Sequence, residues 1–111
     1  MGFILIYITH AGEHHADRIV KHLLSKKLIA CANIFPISSA YWWKGGVEQE
    51  GEWVSLVKTT RELWDEVRRE VEKEHPYDVP CIMKLEATAN DAYENWIRRS
   101  VRNPETSSTS S

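Results

Sequence analysis

His75, Tyr77 and Cys81 fall close together in Lys73-Glu74-His75-Pro76-Tyr77-Asp78-Val79-Pro80-Cys81, offering an imidazole, a phenol and a thiol on one connector. Each proline fixes its own φ and pushes the residue before it toward extended conformations, so His75 and Val79 are expected to stand outside any helix. His75 is thereby a presented side chain. The turn forced by Pro76 and Pro80 can bring His75 and Cys81 to one cleft. Imidazole with thiolate is a donor set for softer ions such as Cu(I) or Zn(II). No metal or cofactor is obligatory on this reading, and copper and zinc are the ions it points to.

Two further groups carry donors. His10, Glu13, His14, His15, Asp17 and His22 form the densest cluster of candidate ligands, at the end of one apolar run and the start of the next element. On a helix the adjacent His14 and His15 point about 100° apart, so only His10 with His14, or Glu13 with Asp17, has spacing that converges. The favoured reading is a solvated helix start with acids near its positive end. Glu48, Glu50 and Glu52 alternate, so in an extended arm they share a face. A charged hairpin tip that resists edge pairing accounts for them better than a cation site. No nucleophile with its base, no Walker loop and no Gly-x-Gly-x-x-Gly occurs, and no enzyme is expected.

The chain has 111 residues, enough for one domain with a real core. Its 14 basic and 16 acidic residues leave a net charge of -2, which gives no electrostatic footprint for nucleic acid. Cys31 and Cys81 are far apart and in no Cys-x-x-Cys motif, so neither a disulfide scaffold nor a structural zinc site is indicated. Cys31, between Ala30 and Ala32, reads as a buried core thiol. The apolar run Phe3 to Ile8 is too short to span a bilayer and lacks signal-peptide flanks, so no membrane association is expected and the cytoplasm is the expected compartment. Five Trp residues are more large aromatics than a small core readily absorbs, which points to a subunit interface.

The elements that must position these residues follow from periodicity. Phe3 to Thr9 is a strand, apolar on both faces. Glu13 to Leu28 places Ala16, Ile19, Val20, Leu23, Leu24 and Leu28 at helical spacing. Leu28 to Trp43 and Glu52 to Thr60 read as strands, with Lys44 to Gly51 supplying the turn between them. Thr59-Thr60-Arg61-Glu62 offers a capping box for a helix carrying Leu63, Trp64, Val67 and Val71, which must end before Pro76. Ile82 to Thr88 is a fourth strand, and Asn90-Asp91 can cap a last helix with Tyr93, Trp96, Ile97 and Val101 on one side. The order β-α-β-β-α-β-α predicts a ferredoxin-like α+β sandwich with an added C-terminal helix over residues 1–102, followed by a disordered polar tail over 103–111. One sheet face then needs a cover, and self-association is the simplest one.

Leu28-Ile29-Ala30-Cys31-Ala32-Asn33-Ile34, Tyr41-Trp42-Trp43-Lys44-Gly45 with Glu48, Lys58-Thr59-Thr60, and His75-Pro76-Tyr77 with Pro80 occur in this order with these gaps. Over about residues 3–102 the chain resembles the CutA divalent-cation-tolerance family. The resemblance implies a ferredoxin-like fold, a homotrimer built by strand pairing between subunits, and a link to copper and other divalent metals. It also implies a cleft between subunits containing His75, Tyr77 and Cys81 with Lys58 and Glu50 nearby. Three positions depart from the family pattern: Ile8 stands where some bacterial members have cysteine, Glu74 where they have a second histidine, and Cys81 where many have glutamate. Trimeric PII-type signalling proteins share the architecture. This sets a second reading, a regulator taking an anionic metabolite through Lys58 and a protein partner.

Overall fold

The computed structural model describes residues 2–104. Most of the expected tail, from residue 105 on, lies outside them. The elements are β1 (Phe3–His10), α1 (Glu13–Ser25), β2 (Cys31–Trp43), β3 (Gly46–Thr59), a 3₁₀ turn (Arg61–Leu63) that runs into α2 (Trp64–Glu74), β4 (Ile82–Ala87) and α3 (Asp91–Ser100). The sheet order is β2-β3-β1-β4 with every neighbouring pair antiparallel. β1 and β2 are therefore parallel with β3 between them. Each β-α-β unit skips one strand, which is the expected ferredoxin-like α+β arrangement with a third helix added.

Strand alternation divides β1 between two environments. Ile4, Ile6, Ile8 and His10 point toward α1 and α2, and all four are fully buried. The three isoleucines pack in one cluster with Ile19, Val20 and Leu23 of α1 and Val67 and Val71 of α2, which repeat three and four residues apart as an amphipathic helix requires. The outer face carries Phe3, Leu5, Tyr7 and Thr9. α3 covers one end of it, with Tyr93 edge-on to Phe3 at 6.3 Å. Cys31 lies on this outer face, half-buried, with its sulfur 3.4 Å from the Tyr93 hydroxyl. It is not in the central core, because the register pairs it with Lys58 and not with Val57.

The structure corrects two boundaries and two expected caps. α1 stops at Ser25 and not at Leu28: Lys27 takes a left-handed φ of 56°, and the Leu28 amide donates to the Leu23 carbonyl at 3.0 Å. That six-to-one bond closes the helix and turns Leu28 inward, so its helical spacing survives without helical conformation. The hairpin turn is only Lys44-Gly45, with φ of 52° and 84°, both positive as a type I′ turn demands. Residues 46–51, expected as loop, continue β3, and Gly51 sits in the ladder opposite Ser38. The capping box does not form: Thr60 makes no side-chain cap bond, and the Thr59 hydroxyl donates to the Leu28 carbonyl at 2.6 Å. Asn90 likewise makes no cap bond. The Glu94 carboxylate instead accepts the backbone N–H groups of Ala89 and Gly2, each at 2.7 Å, which hold it below the usual carboxylate range.

β1 pairs with β3 only as far as His10 opposite Trp53. Beyond that point, residues 37–43 and 46–52 form a two-stranded arm reaching roughly 20 Å past the sheet at about 3.3 Å per residue. Trp42 is 76% exposed at its tip, with Val47 beside it.

Candidate metal centre

β1 delivers His10 to the core face one alternation beyond Ile8. His15 arrives from the first turn of α1, and His75 from the residue after α2, where Pro76 holds it extended at φ −88° and ψ 131°. One ring nitrogen from each lies within 4.8 Å of the others, and this is the three-donor cluster formed by His, Cys, Asp and Glu among the described residues. The rings touch throughout. His10 stacks on His75 at 5.7 Å between centroids, and His15 meets the two at 5.0 and 5.1 Å.

Each ring is held on its outer side by oxygen. His10 Nε2 lies 2.7 Å from Ser55 Oγ, itself fully buried on β3 opposite Ile8. His15 Nε2 donates to the Glu74 carbonyl at 3.3 Å, and His75 Nε2 donates to the Thr9 carbonyl at 2.7 Å. The Nδ1 atoms of His10 and His15 face each other at 2.9 Å. Burial, with the neighbouring His15 and His75 adding to it, pushes the His10 pKa down to about 3. His15 is lowered as well, mainly by burial, with its bond to Glu74 working the other way. His10 is therefore uncharged at neutral pH, the form in which imidazole binds metal.

These residues fit a transition-metal ion. Three imidazoles are the protein share of many zinc sites, and an oxygen behind each ring nitrogen is the usual outer support of metal-bound histidine. Tetrahedral Zn–N bonds of about 2.0–2.1 Å would separate ligand nitrogens by roughly 3.3 Å, close to the spacing already present between His10 and His15.

Cys81 is not part of this cluster. Its carbonyl accepts the Thr9 amide at 3.4 Å and so continues the β1–β4 register by one residue. That places it with Thr9 on the outer sheet face, across from His10. Its half-buried thiol is pushed up, chiefly by burial and then by Glu52. Tyr77 touches both regions. Its ring is edge-on to His75 at 4.6 Å, its amide donates to His75 Nδ1 at 3.2 Å, and its hydroxyl donates to Glu52 at 2.9 Å. With Glu50 it lines a cleft of about 280 Å³ between the arm and the 76–79 connector, together with Tyr41, Trp43, Pro76, Asp78 and Val79. Here the Tyr41 hydroxyl donates to Glu50 at 2.5 Å, which pushes the phenol up to about 12. Lys58 is elsewhere. It sits six to eight residues farther along β3 than Glu50 and Glu52, and its ammonium donates to the Tyr93 hydroxyl at 3.2 Å.

Sequence reasoning set His10 and His15 aside as a solvated helix start. Strand alternation through Ile4, Ile6 and Ile8 was the signal that His10 is buried. His15 joins because the two-residue connection after His10 breaks the helical spacing used to test convergence. The remaining members of that group do sit on the surface: Asp17 pairs with Lys21 at 2.8 Å, His14 is exposed, and His22 meets Glu70 of α2 at 2.7 Å.

A family model described as CutA1 divalent ion tolerance protein matches residues 4–100. The chain is 46% identical over 100 residues to the divalent-cation tolerance protein CutA of Thermotoga maritima, covering 88% of this chain and 98% of that one. It is 36% identical over 101 residues to the chloroplastic protein CutA 1 of Oryza sativa, covering 89% of this chain and 57% of that one. Its fold superposes on the periplasmic divalent cation tolerance protein CutA of Archaeoglobus fulgidus with a TM-score of 0.87 at 43% identity, over 89% of this chain and 98% of that one. Among the described residues no helix is long and apolar enough to cross a membrane. The chain belongs to the CutA1 divalent ion tolerance family.

Proposed function

We propose that this protein is a non-enzymatic homotrimer that binds a divalent transition-metal ion at His10, His15 and His75 in the service of metal tolerance. The convergence of three imidazoles from three separate elements carries this reading. Their nitrogens suit zinc and copper, whereas magnesium and calcium prefer oxygen ligands. This moves the ion away from the pairing of His75 with Cys81. Relatives named for divalent-cation tolerance support the physiological side.

Assembly is supported by the arm. A two-stranded ribbon in water is marginal by itself, and this one carries Trp42, Trp43, Tyr41 and Val47 at least one-third exposed. Packing between subunits would cover them, and the 280 Å³ cleft beside the arm then becomes part of an inter-subunit region. Two unpaired cysteines suit a reducing compartment, and we place the protein in the cytoplasm. Native mass spectrometry and calorimetry with ZnCl2 and CuCl2 test the reading. The expected result is one ion per chain on a trimer, lost in His10→Ala and retained in Cys81→Ser. Loss in Cys81→Ser with retention in His10→Ala would return the site to His75 and Cys81.

A further inference from the structure

We propose that the ion is held by the three Nδ1 atoms and that His75 Nδ1 must first be given up by the Tyr77 amide, so that filling the site unlatches Tyr77 from the base of the arm. This rests on the metal reading above and adds the donor atoms and the coupling.

The hydrogen bonds determine where the protons are. A carbonyl oxygen cannot donate, so His15 carries its proton on Nε2 toward Glu74 and has a bare Nδ1. His75 carries its proton on Nε2 toward Thr9, leaving Nδ1 as the acceptor of the Tyr77 amide at 3.2 Å. Because His15 Nδ1 is bare, the 2.9 Å contact is His10 Nδ1–H donating to it, and His10 Nε2 accepts the Ser55 hydroxyl. Before an ion is bound, then, two of the three Nδ1 lone pairs are engaged by N–H groups of the protein and the third carries a proton.

The competitors differ in cost. His10 needs only to move its proton from Nδ1 to Nε2, and the Ser55 hydroxyl serves either tautomer by turning from donor to acceptor. His75 must lose a backbone donor whose residue is anchored at its other end by the Tyr77 hydroxyl on Glu52 at 2.9 Å. Glu52 is nearly buried at the point where the arm leaves the sheet, and the Tyr77 ring lines the cleft with Tyr41, Trp43 and Glu50. The alternative, ligation through His75 Nε2, would strip the shortest backbone contact of the cluster from Thr9. It would also leave that carbonyl without the outer-support role seen at the other two rings. Tyr77 thus sits between the ion and the arm, and occupancy on one side loosens the other.

Zinc is the probe, because it is diamagnetic. In ¹⁵N-labelled trimer, long-range imidazole spectra report which nitrogen takes ZnCl2, and amide exchange at Tyr77 reports the latch. With one zinc per chain, the Nδ1 atoms of His10, His15 and His75 should carry the metal, and Tyr77 amide exchange should quicken at least tenfold. Tyr77→Phe keeps the amide and ring but frees the latch from Glu52, and should bind zinc three- to tenfold more tightly. Glu52→Gln should move affinity the same way without altering the loop itself. Zinc on His75 Nε2, or a zinc-loaded protein with Tyr77 exchange unchanged, overturns the coupling and leaves the metal reading standing. No zinc uptake by the folded parent overturns both.

Discussion

The imidazole cluster and the arm beyond it lie at the same end of the sheet, yet they solve opposite problems. The cluster is polar chemistry at the margin of the core: His10 and Ser55 are both fully buried, His15 and His75 are partly buried, and every ring is braced by an oxygen. The arm is apolar chemistry in water, with Trp42 76% exposed and Val47 63%. Buried polar groups need partners within the chain, whereas exposed apolar groups need partners outside it. The first region draws all three of its donors from one chain. The second leaves its apolar groups uncovered, and we propose that association covers them. Tyr77 joins them, since one end of the residue serves His75 and the other serves Glu52.

The sharpest way to break the contrast is to give the arm the polarity that its setting lacks. Trp42→Glu places a carboxylate where we propose subunits meet, and burying an unpaired charge costs several kcal/mol. Sedimentation velocity should shift from trimer to monomer, while circular dichroism of the sheet and helices is retained. A Trp42→Glu protein that remains fully trimeric at micromolar concentration would place the interface elsewhere.

The converse change removes a polar group from the enclosed region. His10→Ala leaves a cavity and deprives both the Ser55 hydroxyl and His15 Nδ1 of their partner. The expected loss of stability is roughly 2–4 kcal/mol. Zinc affinity should fall at least a hundredfold, because two histidines replace three. His14→Ala, on the exposed side of the same helix start, should change neither quantity. Equal effects from His10 and His14 would mean that burial is not what distinguishes them.

Acid sharpens the comparison by acting mainly on the buried side. The folded-state pKa of His10 is about 3 against an ordinary value of 6.5, so the unfolded chain takes up this proton more readily. Its contribution to stability is fully present above pH 6.5 and is lost as pH falls through the window from 6.5 toward 3. His15, lowered in the same direction, adds to the effect. Glu70, held down to about 2 by Lys26 and His22, loses its contribution only below the ordinary carboxylate value of 4.5. Urea midpoints measured between pH 7 and 5 therefore report chiefly on the histidines. The parent should weaken across that range, and His10→Gln should flatten the slope.

How legible each region was follows from its physics. The β-α-β-β-α-β-α order, the amphipathic faces of α1 and α2 and the extended His75 were readable because they depend on neighbours in sequence. The arm was only half readable: the aromatics were visible, but Gly51 looked like turn chemistry until the Lys44-Gly45 turn placed it mid-ladder. The cluster was least readable, since His10, His15 and His75 are joined through a strand end, a helix start and a helix end from different parts of the chain. Alternation along β1 carried the sign that His10 is buried, yet His10 was read with the solvated helix start, and no local rule links residues 10 and 75. His75 and Cys81 looked like partners because they are close in sequence. Yet alternation sets Cys81 beside Thr9, on the sheet face away from His10.

The smallest expected effect tests that last point. Cys81→Ser exchanges a half-buried thiol for a hydroxyl of similar shape, leaves the backbone bond from Thr9 to residue 81 intact and touches none of the three imidazoles. Burial and Glu52 both keep the thiol protonated and hence a poor ligand at neutral pH. Zinc affinity should remain within about twofold of the parent. The stability change should stay near 1 kcal/mol or less, as for most substitutions that neither open a large cavity nor strand a charge. Cu(I) gives the stricter comparison, because it prefers sulfur to imidazole. If Cys81→Ser weakens Cu(I) binding tenfold while zinc is unaffected, the outer face holds a second, softer site, and the two regions divide the metals between them. If both ions bind as in the parent, the enclosed imidazoles account for the metal chemistry alone.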